Sequence, residues 1–447
     1  MKKKEKIALI AALLLTTSLA AGCGNKSADQ QTNVTKPGEK GETADKITIT
    51  FAEHVADVET NAPQVYKIVQ AFNAANPDVE VIIESAASDE HTTKMKLAAQ
   101  TNSLPDVFYM ISGDAVEMAK AGYLADLTAD IKADPEFAGR FLPGMLDSMV
   151  IDGKTYGIPS EMFVNGIWYN KALFDQCGLE LPVTFEDMLH CAEVFRANGI
   201  TPMARGNKSV FSCWSTWTMH CRYGFYDHID GIIAGTDKWN NPDYLKFYNM
   251  IKTMSDSGMF SDNMKTMGYD EAQKVFMSGQ AAMFDSGAWD TAQFENCEFA
   301  DSIGFWWGPT FSDGVGEQEI AMKAPSHPYC ISAKTQAESP EKYEAAIRFL
   351  KFFYSEEGTQ LVVDANCVPV TKYDGTIDAE KYPVFANIMA RINDDWSSPL
   401  VCPNVYLGAF ETTYFESIIG VMNGVYTPEE AMDFLDEQSV IQGLVAN

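Results

Sequence analysis

Basic residues are scarce in this chain. Lys and Arg number 33 against 62 Asp and Glu, a formal net charge of −29. Nucleic acid is excluded as a partner, because phosphate backbones are held by basic patches. Polyanionic ligands are disfavoured for the same reason, and the bulk of the acidity reads as a soluble surface. Catalytic signatures are missing as well: there is no GxSxG turn, no HExxH pair and no phosphate-cradling glycine loop. A glycoside hydrolase needs two carboxylates flanking one bond, and no motif marks such a pair. The expected class is therefore a non-enzyme without cofactor. No internal repeat occurs. The nine cysteines form no compact framework, and those after Cys23 are scattered through apolar segments, where they read as thiols acting as small buried hydrophobes. Cys213, His220, Cys221 and His228 lack the short paired spacing of a zinc site and fall in an aromatic helical stretch, so no metal is expected. "YDGTIDAE" is acidic but does not fit a calcium loop.

Long apolar runs are absent beyond the N-terminus. "MKKKEK" is a basic segment, and "IALIAALLLTTSLAAG" is apolar but short for a membrane span. The run ends in "LAAGC" and resembles a bacterial lipoprotein signal, which implies a signal peptide over 1–22 and Cys23 as the lipid-bearing residue. An ordinary signal peptide with an incidental cysteine is the alternative. Residues 23–46 are polar, without a helical stripe, and read as a flexible tether between membrane and folded domain.

The remainder, about 400 residues, is too long for one core and suits two lobes. "KITITFAEH" alternates apolar and polar residues as a strand does. "NAPQVYKIVQAFNAANP" puts Val65, Ile68, Val69 and Phe72 on one helical face and stops at Asn76-Pro77. "DVEVIIES", "EHTTKMKLAAQTNS" and "PDVFYMI" continue as strand, helix and strand, a βαβαβ rhythm that predicts a mostly parallel, helix-covered sheet. Later, "SPEKYEAAIRFLKFFYS" predicts a helix capped by Ser339, with Pro340 in its first turn. Thr427 and Glu430 have capping-box spacing.

Several stretches together resemble the extracellular solute-binding proteins of bacterial ABC transporters, in the carbohydrate-binding group. They are "LPDVFYM", "GKTYGIP" followed by "GIWYNKALFDQCGLELPVTFEDML", "FMSGQAAMFDSGAW", "ISAKT" with its helix, and "VCPNV". The resemblance implies an α/β, two-lobe periplasmic-binding-protein-like fold with a hinge and an interlobe ligand cleft. Lobe I would take 47–161 and 331–376, and lobe II 162–330 and 377–447. It further implies a monomer that binds a small-molecule carbohydrate, closes, and docks on the transmembrane subunits of an ABC permease, tethered to the membrane by its lipid anchor. A sensor subunit serving a signalling partner, or a receptor for a polyamine or peptide, would share this fold.

Candidate ligand-binding residues follow from the resemblance and from local chemistry. Trp289 lies in the family's sugar-stacking position, where a ring buries the C–H face of a pyranose; Gly279 and Gly287 read as the turns that deliver it. Ser112 and Asp114 follow a strand end, where open α/β sheets bind ligands, although Asp114 could simply cap the next helix. Glu53 and His54 follow the first strand in the same way. Phe163 and Asn165 lie beside the first interlobe crossing. Trp214 and Trp217 sit one helical turn apart, and Trp214 is preferred for the cleft. Tyr406 and Glu411 fall in a segment the family brings to the cleft, and Tyr329 lies near the second crossing. Trp306 and Trp307 would face opposite ways on a strand and are left out of the site.

Overall fold

A computed structural model describes residues 46–208, 213–394, 396–399 and 402–445. The signal segment, the tether and Cys23 lie outside the described residues. Twelve strands run in chain order: β1 (Ile47–Glu53), β2 (Val79–Ser85), β3 (Val107–Tyr109), β4 (Val150–Ile151), β5 (Lys154–Thr155), β6 (Ile158–Pro159), β7 (Met162–Asn170), β8 (Thr201–Ala204), β9 (Ala281–Gly287), β10 (Ile303–Trp306), β11 (Met322–Pro325) and β12 (Pro328–Ile331). They build two larger sheets, ordered β2-β1-β3-β12-β6 and β10-β7-β9-β8, with β11 also paired to β7, and the β4-β5 hairpin.

The first sheet begins as the sequence pattern predicts. β1 lies between β2 and β3 and is parallel to both, with Phe51 opposite Ile83 and Val107. The helix Pro63–Ala75 buries Val65, Ile68, Val69 and Phe72 against it. Full burial of such side chains contributes roughly 1.5–3 kcal/mol each before entropy is counted. Asn76 ends the helix: its backbone N–H and side-chain amide both donate to the Phe72 carbonyl, at 2.9 and 2.8 Å. The expectation of mostly parallel pairing holds for these three strands and for β8 with β9 in the second sheet. β12 enters antiparallel between β3 and β6, and β7 of the second sheet is antiparallel to β9, β10 and β11.

Those passages define the hinge. β6 leads into β7 through Ser160 and Glu161, and β11 leads into β12 through Ser326 and His327. The two connections lie side by side. Pro159 faces Pro328 and Met162 faces Pro325. Between them the Ser160 N–H donates to His327 O at 2.9 Å, and the Ser326 N–H donates to Glu161 O at 3.1 Å. Proline fixes φ, so dihedral freedom in this ribbon concentrates in its four non-proline linkers. The strand Pro328–Ile331 pairs in the first sheet, so the return crossing falls at Ser326–His327, ahead of residue 331. A third connection follows Lys372, whose N–H still donates to Arg140 O, and precedes the helix Pro383–Ile392. That helix reaches the second sheet, where Asn387 Oδ1 accepts from the Phe305 N–H at 2.8 Å.

Two capping expectations come out differently. Thr427 and Glu430 form the expected capping box. Ser339 occupies the cap position of Pro340–Phe353, but its hydroxyl makes no capping bond. It also terminates the preceding helix, Ala333–Glu338, donating its N–H to Thr335 O at 3.1 Å. None of the eight cysteines from Cys177 to Cys402 is disulfide-bonded. Among the described residues, no helix is long and apolar enough to cross a membrane.

Candidate functional site

The ends of β1 and β3 supply one wall. Glu53, only 1% exposed, ends β1. It accepts a short hydrogen bond from the Tyr329 hydroxyl, and its second oxygen lies 2.9 Å from His54 Nδ1. Tyr109, at the end of β3, stacks on His54 with ring centroids 3.6 Å apart. His91 Nε2 lies 2.7 Å from the Tyr109 carbonyl, which accepts. The His327 ring stands edge-on to Tyr109. The backbone N–H of Ser112 donates to His327 Nδ1 at 3.1 Å, with the Ser112 hydroxyl at the same distance. An acceptor Nδ1 is an unprotonated one, and burial, with His54 adding to it, pushes His327 down to about 4.

The second sheet and its helices supply the opposite wall, which is aromatic. Phe163, near the start of β7, stacks with Trp289 at 5.7 Å and meets Trp214 edge-on at 5.5 Å. Trp214 in turn stands edge-on to Trp289 at 5.4 Å. Trp217 is instead fully buried and stacked on Tyr414. Trp289 is 38% exposed, unusual for so large a ring. Gly279 makes a turn at φ +72°, as read from the sequence. Gly287 does not: its φ of −140° is ordinary extended backbone. Glycine is needed there because a Cβ would lie 2.2 Å from Trp289 Cζ3 and 2.3 Å from Val164 O.

Between the walls lies a cavity of about 390 Å³, lined by Glu53, His54, Glu161, Trp289, Gln293 and Tyr329 among others. None of its lining residues is Lys or Arg. Glu161 is solvent-accessible, yet it stands in the hinge with both walls around it, and its carboxyl makes no hydrogen bond or ion pair among the described residues. Burial pushes it upward, opposed by His54 and reinforced by Glu53. Tyr109 is held well above its ordinary value by burial and by the carboxylates of Glu161, Glu53 and Glu411, which brings Glu411 of the second lobe electrostatically to a first-lobe ring. Burial lifts Glu411 to about 8 against a smaller pull from Trp217. The Glu411 Oε1 and Trp217 Nε1 atoms are enclosed without completing a hydrogen bond. The site thus offers carboxyl, hydroxyl and imidazole groups beside an aromatic ring. A larger hollow of about 870 Å³ lies outside the first sheet, along the helix Ser88–Gln100, and contains none of these residues.

The structure brings Glu53, His54, Tyr329 and Trp289 to one cavity, with Phe163 and Trp214 packed against Trp289. Others fall elsewhere. Asn165 is fully buried in β7, accepting from the Thr218 hydroxyl at 3.2 Å. Tyr406 packs near Phe225 and Tyr226 in the helical layer of the second lobe. Asp114 does not cap; it sits in the first turn of the helix Ser112–Lys120 and pairs with Lys96 at 2.7 Å. Ser112 is buried and engaged with His327. Trp306 and Trp307 are both buried. Sequence reasoning missed Tyr109, Glu161 and His327. Tyr109 read as a core strand residue, and the other two gain their position only from the paired crossings.

Fold and site together define a two-lobed binding protein. The model of the bacterial extracellular solute-binding protein family matches residues 56–360, and this chain belongs to that family. It is 26% identical to the multiple sugar-binding protein of Streptococcus mutans, over 81% of this chain and 84% of that one. It is 24% identical to the sn-glycerol-3-phosphate-binding periplasmic protein of Shigella dysenteriae, over 83% of this chain and 87% of that one. A solved chitin oligosaccharide binding protein superposes with a TM-score of 0.76 at 23% identity, covering 89% of this chain and 98% of its own.

Proposed function

We propose that this protein is the substrate-binding component of an ABC importer, that it captures a neutral mono- or oligosaccharide between its lobes, and that it delivers the sugar to a membrane permease. The observation carrying this reading is Trp289, packed against Phe163 and Trp214 and sharing one cavity with Glu53, His54 and Tyr329 at the paired crossings. A pyranose has an apolar C–H face and a rim of hydroxyls; rings cover the face, and carboxyl, hydroxyl and imidazole groups serve the rim. A ligand touching both walls stabilises the state in which they meet, which couples capture to closure. Anchoring through Cys23 would keep the protein beside its permease. The multiple sugar-binding relative supports a carbohydrate ligand. A thermal-shift screen over neutral oligosaccharides, polyamines and small peptides tests the reading. A binding sugar at a hundredfold excess over its Kd adds about 2.7 kcal/mol of apparent stability. Shifts with amines or peptides alone would sink the carbohydrate assignment.

A further inference from the structure

Trp289 is exposed at the cleft, yet its polar edge is already engaged. The indole N–H donates to the Tyr269 hydroxyl at 2.8 Å. The Tyr269 hydroxyl donates to Asp290 Oδ2 at 2.5 Å, and Ser286 Oγ lies 2.6 Å from it. Asp290 is 2% exposed and also accepts from the Ser286 hydroxyl and from Gln273 Nε2, the latter at 2.7 Å. Burial lifts its carboxyl to about 6 against those hydrogen bonds, so it is ionised at neutral pH and can only accept. The order of the chain follows from this. The single Tyr269 proton goes to Asp290, directly or through Ser286 Oγ, and either way an oxygen lone pair is left for the Trp289 N–H. On its other flanks the ring rests on Gly287 and lies beside Phe163.

We infer that Tyr269 and Asp290 are positioning residues for ligand binding: they lock the Trp289 ring at one tilt and consume its only hydrogen-bond donor, so that the ligand meets a bare aromatic face. Neither residue lines the cavity. The relay selects for an apolar sugar face at this subsite over a hydrogen-bond acceptor, because no donor remains there to satisfy one. The inference rests on the reading of Trp289 as a ligand contact.

The test is a double-mutant cycle by calorimetry, using raffinose, xylotriose and chitotriose as probes. Tyr269→Phe removes one oxygen and leaves the ring volume. It is expected to weaken the binding probe by about tenfold, and to cost nothing further in a Trp289→Ala background. An equal loss in both backgrounds, or none in the folded single variant, overturns the relay. A neutral Trp289→Ala overturns the underlying contact, and the relay with it. A second readout needs no ligand: acrylamide quenching of the Trp289 fluorescence, taken as the difference from Trp289→Phe. Tyr269→Phe and Asp290→Asn should both raise it. Unchanged quenching overturns the relay even if no probe binds, whereas the absence of binding by the wild type counts against the sugar reading alone.

Discussion

At the scale of single residues, the cleft is governed by where polar atoms are satisfied. Trp289 spends its N–H inside the protein and offers its face outside. Trp289→Ala should therefore weaken sugar affinity by tenfold or more, about 1.4 kcal/mol, with the unfolding midpoint of the unliganded protein little changed; titration calorimetry and a melting curve check both. Glu411 illustrates the opposite case, a carboxyl whose Oε1 is enclosed without a hydrogen-bond partner. Its folded value of about 8 lies above its ordinary 4.5. The native state keeps a proton there that the unfolded chain has released, so this contribution to stability is complete below about 4.5 and is lost as pH rises through about 8. Glu411→Gln should be stabilising at about pH 9 and close to neutral at about pH 4, as read from denaturant titrations at the two values. A larger gain at the acid end would contradict the assignment.

At the scale of elements, closure depends on how near two backbones can come. The helix Ser112–Lys120 of the first lobe meets the segment Pro403–Phe410 of the second. A Cβ on Gly113 would lie 2.6 Å from Gly408 Cα, a distance that requires movement. Gly408 itself has φ +50°, in the region that favours glycine. Gly113→Val should hold the lobes apart: ligand would no longer compact the protein in small-angle scattering, and affinity would fall by about tenfold. Glycine-to-valine costs little helix propensity, so the unliganded melting temperature should stay close to wild type. Normal compaction in this variant would show that the contact does not limit closure. The hinge ribbon is built on the same scale, with Pro159, Pro325 and Pro328 confining motion to Ser160, Glu161, Ser326 and His327.

At the scale of the whole molecule, charge sets what is refused. The chain carries −29, and the cavity contains Glu53 and Glu161 without a lining Lys or Arg. Desolvating a phosphate beside carboxylates costs several kcal/mol with nothing to offset it. Glycerol 3-phosphate should therefore give no thermal shift here, despite the chain's likeness to a protein named for binding it. A salt-insensitive stabilisation by that ligand would contradict the charge argument.

Much of this was legible from residues alone, for a physical reason. Helix stripes such as Val65–Ile68–Val69–Phe72 and the β1–β3 alternation are local periodicities, and periodicity survives any later packing. The acidic composition is equally a property of the chain. The family resemblance points to Trp289 and Phe163 because their motifs are contiguous, and Glu53 and His54 follow from their place at a strand end. Contiguity does not say which face of a strand or helix is left open: Asn165 is buried in β7, and Tyr406 packs near Phe225 and Tyr226. Tyr109, Glu161, His327, Tyr269 and Asp290 became visible only in three dimensions. Their roles come from partners up to hundreds of residues away, such as Ser112 on His327, and from a Gly287 that is required by the ring above it rather than by its own dihedrals.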